Sequence, residues 1–125
     1  IMEQFGESFF RELERDYLLE LSKKNNVLIS TGGGTPCFFD NINLINETGT
    51  SIYLKMDEKS LVNRLKNNLD SRPLLKGKNE IELAHFVHQH LVKRLPFYKM
   101  AKIEFDVLSF NSARLAELKN EIELI

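Results

Sequence analysis

A short apolar run that ends in three glycines constrains the fold of this chain more than any other feature. Residues 27–29 read Val-Leu-Ile and are followed by Ser-Thr-Gly-Gly-Gly. A strand that is apolar at every position is typical of a parallel sheet covered on both faces, and ligands of such sheets bind beyond the carboxyl ends of the strands. Gly32, Gly33 and Gly34 are therefore predicted to bring bare backbone close to a ligand; the alternative is a tight strand-to-helix connection.

Other strands and helices alternate with this run. Strands are predicted over 51–56 and 103–107, the second with alternating polar residues that place it at a sheet edge. Helices are predicted over 7–24, 35–46 (or a turn), 58–68 after an Asp57 N-cap, 81–95 up to Pro96, and 115–125. The alternation predicts an α/β fold with a doubly covered parallel sheet.

Composition excludes several functional classes. The 125 residues fit one domain, and 17 Lys and Arg against 18 Asp and Glu give a net charge of −1, so nothing attracts nucleic acid or an anionic membrane in bulk. The single cysteine, Cys37, excludes an internal disulfide framework. No signal-peptide pattern and no apolar run of about 18 residues is present. We expect a cytoplasmic protein that holds any anionic ligand with locally placed cations.

Arg11 and Glu14 fall on or beside the apolar face of the first predicted helix. Charges rarely enter such a face unpaired, so the two are expected to form an i,i+3 ion pair. The ion pair fits a solvated helix margin, but it also fits a guanidinium held by Glu14 and directed into a cleft, where it would bind a carboxylate or phosphate.

Three further arginines are candidates. Arg72 lies in a polar loop over 70–79, stiffened by Pro73, whereas Arg64 and Arg94 lie near helix ends. Basic residues at such ends also complement the helix dipole, so a surface cation is the alternative for each.

Metal-binding and nucleophilic sites have less support. Of His85, His88 and His90, only the first two share a helical face, and no residue at ligand spacing completes a metal site. Cys37 has no activating partner in the sequence. A phosphate-binding P-loop is also absent, because the only Gly-Lys pair, at 77–78, lacks the upstream glycine and the following hydroxyl residue.

The order of these signals is more specific than any one of them. From Gly6 to Ala101 the chain resembles shikimate kinase, and the motifs that carry the resemblance are Gly6-Glu7-x-x-Phe10-Arg11-x-x-Glu14, Ser30-Thr31-Gly32-Gly33-Gly34, Ile52-Tyr53-Leu54, Arg64, Arg72-Pro73-Leu74-Leu75 and Arg94-x-Pro96-x-Tyr98-x-x-Ala101.

The resemblance implies a three-layer αβα P-loop kinase fold, like that of nucleoside monophosphate kinases, with a parallel sheet in the order 2-3-1-4-5. It implies transfer of the γ-phosphoryl group of ATP to the 3-hydroxyl of shikimate in aromatic amino-acid biosynthesis, with Mg²⁺ as a cofactor. Shikimate and ATP are then the small-molecule partners, and the protein is expected to be a monomer.

The resemblance also implies residue roles. Arg11 and Arg94 would bind the shikimate carboxylate, with Glu14 supporting Arg11. Gly32, Gly33 and Gly34 would line the shikimate pocket. Arg72, on a lid loop over 70–79, would close over the ATP phosphates as the catalytic arginine, and Arg64 would lie beside the adenine.

One departure from the family is large. Strands 1 and 2, the Gly-rich loop and the expected protein ligands of Mg²⁺ are not in this sequence, so residues 1–125 are expected to form a single, N-terminally incomplete domain. Two other hypotheses remain open: a catalytically inactive shikimate-kinase-like binding module, or a related small-molecule kinase such as a gluconate kinase.

Overall fold

The computed structural model describes residues 2–67, 79–107 and 112–123. Its elements, in chain order, are helix α1 (Met2–Leu21), a 3₁₀ turn (Thr35–Cys37), helix α2 (Asn41–Thr48), strand β1 (Ile52–Lys55), helix α3 (Glu58–Lys66), helix α4 (Glu80–Tyr98), strand β2 (Ile103–Asp106) and helix α5 (Ser112–Glu123).

The sheet of the described residues consists of β1 and β2, which pair in parallel with Ile52 opposite Ile103. Ile103 and Phe105 are buried in β2, whereas Glu104 and Asp106 are exposed. The predicted alternation of this strand is therefore confirmed, and its apolar face packs inward.

The structure does not form the predicted strand at 27–29. These residues have no regular secondary structure, and Leu28 is 98% exposed. A strand exists only where a neighbour accepts and donates its backbone hydrogen bonds, and within the described ranges the only sheet is the β1–β2 pair. Apolar composition alone was therefore not enough to predict a strand here.

Three helix boundaries differ from the predictions for local reasons. Helix α1 begins at Met2, and Gly6, with φ of 83°, interrupts its helical geometry where the helix was expected to begin. The predicted helix over 35–46 is divided in two, because Phe39 adopts a positive φ of 52°. Helix α4 does not stop before Pro96: proline in the last turn removes only one intrahelical hydrogen bond, and the N–H of Lys99 still donates to the carbonyl of Leu95 at 2.9 Å.

An apolar core joins α3 and α4. Val62, Leu83 and Val87 are buried together, and each helix begins at a side-chain cap. Asp57 Oδ1 accepts from the N–H of Ser60 at 2.8 Å, as predicted, and Asn79 caps α4 in the same way. This core fixes the direction of α4, whose last two turns reach the triglycine segment.

Candidate functional site

Two arginines pack directly against the triglycine turn (Gly32, Gly33 and Gly34). A Cβ atom at Gly34 would stand 2.6–2.9 Å from the guanidinium of Arg11, and one at Gly33 would stand 2.8 Å from Nη1 of Arg94. Neither position therefore accepts a side chain while the arginines stay in place. At Gly32 the nearest atom would be 3.5 Å away, which is ordinary contact.

Arg11 reaches this turn from α1 and is only 8% exposed. Its Nη1 donates to Oε1 of Glu14 at 3.0 Å, and its Nη2 lies 3.5 Å from the exposed carboxylate of Glu7. The guanidinium also covers the ring of Phe38, 4.2 Å from its centroid. Its buried Nε has no hydrogen-bond partner among the described residues. A guanidinium has five donors, so these contacts leave capacity for an anionic ligand.

The two carboxylate oxygens of Glu14 have different partners: Oε1 accepts from Arg11, and Oε2 accepts from Thr35. Its Oε2 accepts a hydrogen bond from the hydroxyl of Thr35 at 2.8 Å. Thr35 directly follows the triglycine turn and is buried. The predicted ion pair between Arg11 and Glu14 is thus confirmed, and Thr35 connects it to the turn.

Helix α4 provides the second arginine. The phenol of Tyr98 donates to the carbonyl of Gly33 at 2.6 Å, and Tyr98 follows Arg94 by one helical turn. Burial raises the pKa of Tyr98 above its ordinary value. The positive charge of Arg94 acts in the opposite direction, but it is the weaker effect. The phenol therefore stays protonated near neutral pH and remains a donor to the turn.

Arg94 and Tyr98 also line an open cleft of about 200 Å³ beside β1 and α3. The other lining residues are mostly apolar: Tyr53, Leu54, Met56, Leu61, Val87 and Leu91. The wall of this cleft is therefore mostly apolar, and Arg94 is its charged group.

Cys37 lies close enough to Arg11 and Arg94 for their charges to affect the pKa of its thiol. Burial raises the pKa of this thiol, and the charges of Arg94 and Arg11 act in the opposite direction without overcoming it. Cys37 is therefore a thiol rather than a thiolate, which agrees with the sequence-based view that it is not an activated nucleophile.

The structure brings together the residues predicted to bind substrate: Arg11, Glu14, Gly32, Gly33, Gly34 and Arg94. Arg64 is exposed on the last turn of α3. Arg72 and positions 70–78 of the predicted lid loop lie outside the described residues, and Asn79 is the N-cap of α4.

Sequence reasoning missed the polar residues that support the turn. No sequence motif indicates Thr35 or Asn41, and Tyr98 appears only within the Arg94-x-Pro96-x-Tyr98 motif. The spacing of Arg94 and Tyr98 at i,i+4 places both on one helix face, which was a usable signal. The contact of Asn41 with Arg15 spans 26 positions and has no local signature.

The three histidines of α4 do not gather into a metal-ligating cluster with other described residues. No group of three or more metal-ligating side chains occurs within the described ranges. Nδ1 of His88 lies 2.9 Å from Oε1 of Glu58, and the ring of His90 stacks on Phe86 with centroids 4.0 Å apart. Burial lowers the pKa of His90, and Arg94 and Lys93 lower it further.

Across residues 2–67, 79–107 and 112–123, every helix is too short or too polar to span a bilayer.

Comparison with known proteins gives a consistent result. The family model of shikimate kinase matches residues 1–122. A shikimate kinase from Parabacteroides distasonis is 48% identical over 106 residues, covering 85% of this chain and 61% of the relative. One from Bacteroides fragilis is 49% identical over 96 residues, covering 77% of this chain and 54% of the relative.

A solved structure is also similar. The crystal structure of shikimate kinase from Bacteroides thetaiotaomicron superposes with a TM-score of 0.86 at 40% identity, covering 98% of this chain and 71% of that one. The predicted fold class, a P-loop kinase fold present in part, is therefore confirmed. The chain spans about 61% and 54% of the lengths of the two curated relatives.

Proposed function

The chain belongs to the shikimate kinase family, and we propose that it supplies the acceptor site of an enzyme that phosphorylates shikimate. The enzyme transfers the γ-phosphoryl group of ATP to the 3-hydroxyl and releases ADP. The observation that carries the proposal is the packing of Arg11 and Arg94 against adjacent glycines, Gly34 and Gly33. Two guanidinium groups at one bare turn suit a small carboxylic acid.

In this proposal Arg11 and Arg94 bind the shikimate carboxylate, and the backbone of the triglycine turn lies against the ring and its hydroxyls. Glu14 orients Arg11, and Tyr98 fixes the turn beside Arg94. Phosphoryl transfer needs little covalent help from the protein, so catalysis depends on positioning and on charges that meet the transition state. A rigid acceptor site provides the positioning.

The nucleotide side of the proposal rests on family resemblance alone. We assign Arg72 to the ATP phosphates as the catalytic arginine and Arg64 to the adenine. We propose ATP and Mg²⁺ as the cofactors; among the described residues no cluster could hold a metal ion. A net charge of −1 supports small-molecule partners rather than nucleic acid or membrane, and we place the protein in the cytoplasm as a monomer.

The test measures the full-length protein with ATP, Mg²⁺ and shikimate, following ADP release and identifying shikimate 3-phosphate by mass spectrometry. Arg11→Ala and Arg94→Ala should each raise the KM for shikimate about tenfold or more, because each removes a charge-assisted contact worth about 1.5–3 kcal/mol. The KM for ATP should change little. Lys23→Ala, which removes an exposed cation after α1, is the control and should change neither constant.

Each contrary outcome has a distinct meaning. Shikimate binding without ADP release would identify a catalytically inactive binding module. Preferential phosphorylation of gluconate would identify a related kinase with another acceptor. An unchanged shikimate KM in both arginine variants would remove them from the acceptor site.

A further inference from the structure

Asn41 is the most buried polar residue among those described, with no exposed surface, and the proposed reaction does not use it directly. Its Nδ2 donates to the carbonyl of Thr35 at 2.8 Å, and its Oδ1 accepts from Nη1 of Arg15 at 2.8 Å. Arg15 is held in turn by an ion pair with Asp40 at 2.7 Å. Both ends of the Asn41 amide are therefore committed to specific partners.

Thr35 connects Asn41 to the residues of the proposed acceptor site. Its backbone carbonyl is fixed by Asn41, and its hydroxyl donates to Oε2 of Glu14, whose Oε1 accepts from Arg11. Arg15 follows Glu14 on α1. The hydrogen bonds from Glu14 to Thr35, from Thr35 to Asn41 and from Asn41 to Arg15 therefore begin and end on the same helix.

We propose that Asn41 and Thr35 are positioning residues for the acceptor site, which act on Arg11 through the carboxylate of Glu14. The inference rests on the proposed function, because it assumes that Arg11 binds the acceptor. Without the Thr35 hydroxyl, Oε2 of Glu14 loses its partner and the carboxylate is free to rotate about its side-chain torsions. Arg11 then keeps its charge but loses the orientation in which its donors match a carboxylate.

The first test compares the same substitution at two asparagines of α2 in the full-length protein. Asn41→Asp keeps the acceptor for Arg15 but places an oxygen where the amide donates to Thr35. Asn46→Asp is the matched control, because Nδ2 of Asn46 also donates to a backbone carbonyl, that of Met100 at 2.9 Å, without touching Thr35. We expect Asn41→Asp to raise the shikimate KM about tenfold, with kcat and the KM for ATP within about twofold, and Asn46→Asp to change none of these.

The second test removes the hydroxyl of Thr35 and then restores it. Thr35→Val keeps the shape of the side chain and should raise the shikimate KM about tenfold, whereas Thr35→Ser keeps the donor and should stay within about twofold of wild type. This pair decides the question by itself if Asn41→Asp does not fold. A purely structural role would reduce the amount of active protein and kcat rather than the KM for shikimate.

The inference is wrong if wild-type protein turns over shikimate but the Asn41→Asp and Thr35→Val variants keep the wild-type KM. It is equally wrong if Asn46→Asp or Thr35→Ser raises the KM as much as its counterpart. Wild-type protein that neither binds nor phosphorylates shikimate would overturn the proposed function and this inference with it.

Discussion

The two halves of the described chain are held together by different forces. Around the triglycine turn three polar residues, Arg11, Thr35 and Asn41, are buried beside apolar Leu18 and Ile42, and each of the three is fixed by hydrogen bonds. Between α3 and α4 the buried residues are apolar, and Leu83 is only 1% exposed. Hydrogen bonds are directional and set geometry, whereas apolar burial is non-directional and supplies most of the stability. Damage to the two halves should therefore appear in different measurements.

The largest expected effect is a loss of stability in the apolar half. Leu83→Ala removes a fully buried side chain and should lower the free energy of unfolding by about 2–5 kcal/mol, with an unchanged shikimate KM for the protein that remains folded. Ile81→Ala on the same helix removes a side chain that is 83% exposed and should change stability by less than about 0.5 kcal/mol. Urea unfolding of the two variants gives the comparison, and equal losses would contradict the assignment of the core.

An intermediate effect is expected at the triglycine turn. Gly34→Ala places a methyl group where the Arg11 guanidinium lies, so the guanidinium must leave Glu14. We expect the shikimate KM to rise about tenfold, as for the loss of one charged hydrogen bond. Gly49→Ala lies outside the turn, and its methyl group would meet nothing closer than 3.8 Å, so it is the control in steady-state kinetics. A similar rise in both variants would mean that the effect does not come from displacing the Arg11 guanidinium.

The smallest effect is expected from a single hydroxyl. Tyr98→Phe removes the donor to the Gly33 carbonyl and should raise the shikimate KM about fivefold, because a neutral hydrogen bond contributes about 1 kcal/mol. Tyr17→Phe, which removes an exposed hydroxyl from α1, should leave the KM unchanged. A wild-type KM in Tyr98→Phe would show that the turn keeps its position without this bond.

Features encoded over a few residues were predictable from the sequence. The spacing of Arg11 and Glu14 predicted their ion pair, Asp57 predicted the start of α3, and the alternation of residues 103–107 predicted the buried face of β2. Each depends on periodicity or on a cap, which are local properties. The ordered motifs added the identity of the acceptor arginines as a hypothesis.

Features that depend on distant partners were not predictable. The apolar residues 27–29 satisfied the composition of a strand, but a strand also needs a neighbour. On α4 Ile81 and Leu83 are both apolar, but packing against α3 buries Leu83 and leaves Ile81 exposed. The burial of Asn41 depends on Thr35 and Arg15 together, and no spacing rule indicates that pair.

The hydrogen bond from Tyr98 to Gly33 joins positions 65 residues apart. Closing so long a loop costs conformational entropy, and this cost is offset only by contacts that form once the two ends meet. Helices α3 and α4 are near neighbours in sequence and can pack before this contact forms, so the triglycine turn belongs to the slower, non-local part of folding. A ligand that binds only the completed turn favours the fully folded chain by mass action, so binding of the proposed acceptor would also stabilise the fold.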